Sequence, residues 1–176
     1  MRKPRVLPLA ITVVATAVLL FGGFAMYKQF AVAAPLTEKL EAMPGVLEAS
    51  KPEIGQKEMN VKLQLSNDAN LRELYGEASK EASNAAGSRK VTLEVAGDSD
   101  KALEQLWYSA MFDVAEAMET KAYSDIPEAM NKAVAGSEGV TAVTEMDESN
   151  VYITIRSEQA SKYIVLPRIA NKLEVW

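Results

Sequence analysis

The chain has 176 residues, no cysteine and no histidine, with 19 Lys and Arg against 24 Asp and Glu for a formal net charge of −5. The thiolate nucleophile, the usual general base near neutral pH and the commonest zinc ligands are therefore missing, which disfavours most hydrolase and metalloenzyme chemistry. The four basic residues Arg2, Lys3, Arg5 and Lys28 precede Pro35, whereas all acids follow it; the remainder carries fifteen basic and twenty-four acidic side chains, a formal −9 that repels nucleic acid and anionic lipid.

Residues 1–5 form a basic stub, and residues 6–26 are an uncharged run containing eleven Val, Leu, Ile and Phe residues. At −0.3 to −0.6 kcal/mol each these contribute about −3 to −7 kcal/mol toward membrane insertion, enough to cover Pro8, Thr12 and Thr16. The run is longer than the apolar core of a cleavable signal peptide, although Ala31-Val32-Ala33 supplies an A-x-A pattern and leaves cleavage near Ala33 as the alternative. The bias of Arg2, Lys3 and Arg5 places the N-terminus in the cytoplasm and the rest outside the membrane. A lipoprotein anchor is excluded by the lack of cysteine, and the exported part must fold on its apolar core without disulfides.

Residues 27–35 are a connector. A first module, 36–96, reads as helix, strand, strand, helix, strand. Thr37 to Met43 is a short helix with Leu36, Leu40 and Met43 on one face, ended by Pro44-Gly45; a strand begins at Val46; Glu48 to Lys57 is irregular. Met59, Val61, Leu63 and Leu65 alternate with Asn60, Lys62 and Gln64 as a half-buried strand. Ser66, Asn67 and Asp68 offer caps to a helix carrying Leu71, Leu74, Tyr75, Ala78 and Ala82, and Lys90 to Val95 returns to strand character.

The order recurs in a second module, 124–176. Ser124 to Val134 is a helix with Pro127 in its first turn, Gly139-Val140 echoes Gly45-Val46, a turn falls at Asp147 to Asn150, and Asn150-Val151 echoes Asn60-Val61. A helix-like stretch after Ser157 leads to a last strand at Leu173-Glu174-Val175, matching Leu93-Glu94-Val95. Pro167 opposes that helix, and Tyr163 to Leu166 reads alternatively as a strand. Between the modules, 98–121 is the best helix, with Leu103, Leu106, Trp107, Ala110, Val114, Ala117 and Met118 in one stripe; it is expected to be the spine against which both modules pack.

The fold class is thus α+β: an N-terminal transmembrane helix, then two related αββαβ modules around a central helix. Through the Gly-Val and Asn-Val pairs and the strand alternations, this order resembles the ring-building-motif domains of bacterial sporulation and secretion-channel membrane proteins. Lys90 to Arg156 also resembles the polypeptide-transport-associated domains of exported assembly proteins, a pattern from which the long central helix departs. Both resemblances imply protein contact and assembly without turnover.

The remaining polar groups have plain readings. Ser79-Lys80 and Ser161-Lys162 are neighbours on expected helices and point apart; Glu145, Asp147 and Glu148 lie at a turn without the spacing of a calcium loop; Asp98 and Asp100 begin a helix. No catalytic residue, cofactor or metal is assigned. Tyr108 and Phe112 lie four apart on a second face of the central helix and, with Trp176, are the candidate partner interface. The expected function is that of a single-pass, extracytoplasmic, non-enzymatic assembly or scaffold protein, with a protein partner or a second copy of itself as ligand and no nucleic acid. The alternative is a binding or sensory module that holds a small molecule or peptide in a groove between the modules.

Overall fold

The computed structural model describes residues 6–27 and 32–168. The uncharged run forms a 22-residue helix, α1 (Val6–Tyr27), about 33 Å long at 1.5 Å per residue. Its side chains are described from Ile11 to Leu20 and at Gly22 and Gly23. Among the described residues no helix is long and apolar enough to cross a membrane; that stretch alone is too short for a span, while the uncharged sequence around it runs from Val6 to Tyr27.

Beyond it the protein is α+β. The first half contains α2 (Ala34–Glu41), β1 (Val46–Ala49), β2 (Glu53–Ile54), β3 (Glu58–Leu65), α3 (Leu71–Ala86) and β4 (Lys90–Ala96). Pro35 sits in the first turn of α2, where a missing N–H costs nothing, so this helix starts three residues before Thr37. β1 and β2 both run antiparallel to β3 along one side, and β4 pairs with its other side in parallel. The alternation of β3 is realised directly. Met59, Val61, Leu63 and Leu65 are fully buried against Leu74, Ala78 and Ala82 of α3, and Glu58 and Lys62 face outward. Asn70 caps α3 by accepting from Glu73 N at 3.3 Å, the role expected of Ser66 to Asp68.

The second half contains α4 (Lys101–Thr120), a short 3-10 turn at Tyr123–Asp125, α5 (Ile126–Val134), β5 (Thr141–Met146), β6 (Asn150–Arg156) and β7 (Ser161–Pro167). The three strands form an antiparallel sheet in the order β5-β6-β7. Gly45 and Gly139, the echoed glycines, both turn a helix into a strand, with φ of +90° and +72°. That is left-handed backbone which a side chain would strain.

Two expectations are corrected here. Of the two readings after Ser157 the helix fails and the strand over Tyr163 to Leu166 holds, because the chain makes a tight turn into β7. Ser157 Oγ accepts from Ala160 N at 3.0 Å, and the Ser157 and Ala160 backbones bond at 2.8 Å. A serine at this spacing serves an N-cap and a turn equally, and Pro167 ends the strand where it would have broken a helix. The second half is therefore α-β-β-β within the described residues, not αββαβ; the expected strand at 173–175 and Trp176 lie outside them.

The second correction concerns the spine. α4 buries Leu103, Ala110, Val114 and Ala117, but it packs with α5, β6 and β7 on one face of the second sheet and adds nothing to the core of the first half. The element between the halves is β6, whose burial does not alternate. Val151, Ile153 and Ile155 point to α4 and α5, while Tyr152 lies in the first half's core and Thr154 is also buried. The order of layers is thus first sheet, α3, second sheet, then α4 with α5.

Candidate interaction surface

α4 presents the side chains expected at an interface from a rigid support. Asp100 caps it by accepting from Leu103 N at 2.8 Å, and Lys121, in the left-handed conformation, ends it. Near its start Glu104 receives Lys162 Nζ at 2.7 Å and Ser99 Oγ at 2.8 Å, which fastens the helix to β7. The Lys162 bond first, then that from Ser99, holds the Glu104 carboxyl below its usual range. Tyr108 is 59 % exposed and Phe112 75 %. Around them Ala102, Gln105, Ser109 and Ala115 are also exposed and uncharged, while Lys101, Glu116 and Glu119 are exposed toward the two ends of the same face, so the aromatic pair sits in a short uncharged stretch between charged ends. Asp113 on its border is turned toward Lys132 of α5 at 3.8 Å. Trp107, on the other side of the helix, is half-buried against the core.

A second feature, which sequence reasoning did not locate, is the seam between the halves. Tyr75 of α3 meets Tyr152 of β6 edge to face, with centroids 5.7 Å apart. Tyr152 donates to Asp147 Oδ2 at 2.6 Å, and Asp147 Oδ1 accepts from the backbone N–H of Ser149 and Asn150. Burial pushes the Asp147 carboxyl up, but these three bonds and the charge of Arg72 outweigh it and hold the group below its usual range. Burial first, then the bond to Asp147, pushes the Tyr152 phenol up to about 12. Tyr163 donates to Ser66 O at 2.6 Å, Arg156 to Ala69 O at 3.1 Å and Asn67 to Ser157 O at 3.0 Å, all crossing the seam. At its far end Ser161 N donates to Asp98 O at 3.0 Å, and the backbone lies so close that a Cβ on Gly97 would sit 2.2 Å from Ser161 O.

On the surface this seam opens as a shallow groove of about 510 Å³ lined by Asn70, Arg72, Glu73, Glu77, Glu145 and Asp147. Arg72 reaches across it to Glu145 at 3.7 Å.

The arrangement offers little for chemistry. Ser161 Oγ is buried under Gly97, and Lys162 points to the opposite face of the strand toward Glu104, so no Ser-Lys pair forms there. Asp147 spends its oxygens on its own turn, and among the described residues no three His, Cys, Asp or Glu side chains gather where a metal could be held. Tyr108 and Phe112 are brought together on one surface as their spacing implies, whereas Trp176 lies outside the described residues. No protein-family model matches the chain, and no curated protein and no solved structure gives a significant match.

Proposed function

We propose that this is a membrane-anchored, extracytoplasmic scaffold that works by protein contact through the outer face of α4. The observation that carries this reading is the exposed Tyr108–Phe112 pair on the outer face of α4, two large side chains that no described residue covers. Aromatic side chains on a rigid helix give contact area at small entropic cost. The anchor is supported by the uncharged run of α1, by its length of about 33 Å against a hydrocarbon core of about 30 Å, and by Arg2, Lys3 and Arg5 ahead of it. Absent His and Cys and the occupied Asp147 turn support a role without catalysis.

The rival reading, a small-molecule or peptide sensor, draws on the groove at the seam, where Asn70 and Arg72 offer directional donors beside four carboxylates. The mass of the full chain in detergent micelles, followed by light scattering over a wide concentration range, decides between the two when Phe112→Glu is measured alongside. Oligomers that this substitution disperses, with unchanged circular dichroism, establish assembly through α4. A monomer at every concentration sinks self-assembly and shifts weight to the groove.

A further inference from the structure

The two ends of the first half differ in charge, and the chain enters at one of them. α2 runs back along α3: Val32, Pro35 and Leu36 share a cleft with Asn84 and Ala85, Lys39 bonds Glu81 at 2.9 Å, and Gly45 lies against Ala69 and Leu74. The C-terminus of α3 is therefore at the point of entry. Arg89 ties the β2–β3 turn to the same place by donating to Ala86 O at 3.0 Å and Gly55 O at 3.1 Å, and Lys90 N donates to Lys57 O at 2.8 Å. Six residues lead from Tyr27, the last of α1, to the buried Ala33, a reach of about 20 Å at most. With α1 in a bilayer, this end of the domain stays beside the membrane surface.

The stretches 54–57 and 82–93 meet there and 28–37 leads in, and none of the three contains an acid. They supply Lys28, Lys57, Arg89 and Lys90. Lys57 and Lys90 are exposed among Gln56, Asn84 and Ser88, which are also exposed and uncharged. Acids flank the stretches: Glu58 beside Lys90 in the parallel register, Glu81 paired to Lys39, and Glu38 and Glu53 farther from the end. The opposite end is the reverse. Around the start of α3 lie Asp68, Glu73, Glu145 and Asp147, and the bonds that Ser66, Asn67 and Ala69 make to the second half are formed there too. The formal −9 beyond Pro35 is thus an average over a polarised body.

We propose that the basic end is a docking surface for anionic lipid headgroups, on which Lys57 and Lys90 seat the first half with the second half carried away from the bilayer. This deepens the membrane-anchored reading and rests on it. The short tether holds these few charges near the surface, where attraction acts over a Debye length of about 8 Å. The same surface repels the acidic end, so both ends favour one orientation.

The absence of cysteine makes the test direct, since each introduced thiol is the sole one. Full-length Ser88→Cys at the basic end and Gln159→Cys in the turn held by Asn67, both at exposed positions, are labelled with a fluorophore. Each is reconstituted into vesicles of phosphatidylcholine, or of an equal mixture with phosphatidylglycerol, containing a lipid with a headgroup-bound quencher. Quenching at Ser88→Cys is expected to be about twofold or more stronger in the anionic vesicles and to fall back at high salt. Combined Lys57→Glu and Lys90→Glu are expected to abolish that dependence with unchanged circular dichroism, Arg89 being kept for its bonds to Ala86 and Gly55. Gln159→Cys is expected to be quenched weakly in both lipids. Quenching at Ser88→Cys that is equal in the two lipids, or that the double reversal leaves unchanged, overturns the proposal. Flotation separates the two readings. A chain that does not float with the vesicles removes the anchor and this proposal with it, whereas a chain that floats with quenching blind to lipid charge keeps the anchor and discards the docking.

Discussion

β3 and β6 are the central strands of their sheets, and both alternate branched or aliphatic residues with other types, yet they are buried differently. In β3 one face is core and the other carries Glu58, Asn60, Lys62 and Gln64 toward water, with Lys62 paired to Glu94 of β4 at 3.0 Å. In β6 both faces are covered, one by α4 and α5, the other by α3. The difference lies in the second face. Lys62 and Gln64 keep the open side of β3 in water, whereas Tyr152 and Thr154 can enter a protein interior provided their hydroxyls find partners. Tyr152 finds Asp147 and Asn150. The halves therefore join through a layer of polar contacts laid over apolar rings.

The sharpest way to break this junction is at Gly97, where the two backbones touch. Gly97→Ala puts a methyl group into Ser161 O, and because the neighbour is backbone the strand ends must separate; a loss of about 3 kcal/mol is expected in chemical denaturation. An unchanged midpoint would show that the ends of β4 and β7 separate freely. Tyr152→Phe retains the ring contact with Tyr75 and deletes the bond to Asp147, for an expected loss of about 1 to 2 kcal/mol.

The same bond gives acid sensitivity. The folded Asp147 carboxyl titrates below its ordinary value of 3.8, so its contribution is present above that pH and is lost as pH falls through the lower folded value. Wild type is expected to lose more stability than Tyr152→Phe over that acid range, and parallel pH profiles would remove Asp147 from the junction. The smallest effect belongs to the open face of β3. Lys62→Gln breaks a pair exposed to water and is expected to leave the melting temperature unchanged, as a solvated sheet face should.

What could be read in the sequence follows the same division. Met59, Val61, Leu63 and Leu65 announce β3 because their alternation records burial on one side, and the glycine before each first strand announces the turn that needs it. Tyr152 and Thr154 carry no such record; what covers them is α3, some eighty positions earlier, and local pattern is blind to it. Ser157 misdirects for a related reason, since its hydroxyl bonds three residues ahead in a turn as readily as in a helix cap. Of the candidate surfaces, the pairing of Tyr108 with Phe112 is legible from helical spacing, while the groove at the seam becomes visible only once the halves are packed together.

Tyr152 and Tyr163 belong to the first half's core although they are supplied by the second. In the order of synthesis this becomes a delay. A ribosome adds about 5 to 20 residues per second, so the first half waits several seconds for those two rings. Until they arrive, Tyr75 and the adjoining flank of α3 stay uncovered. The nascent chain thus carries an apolar patch that the finished protein hides.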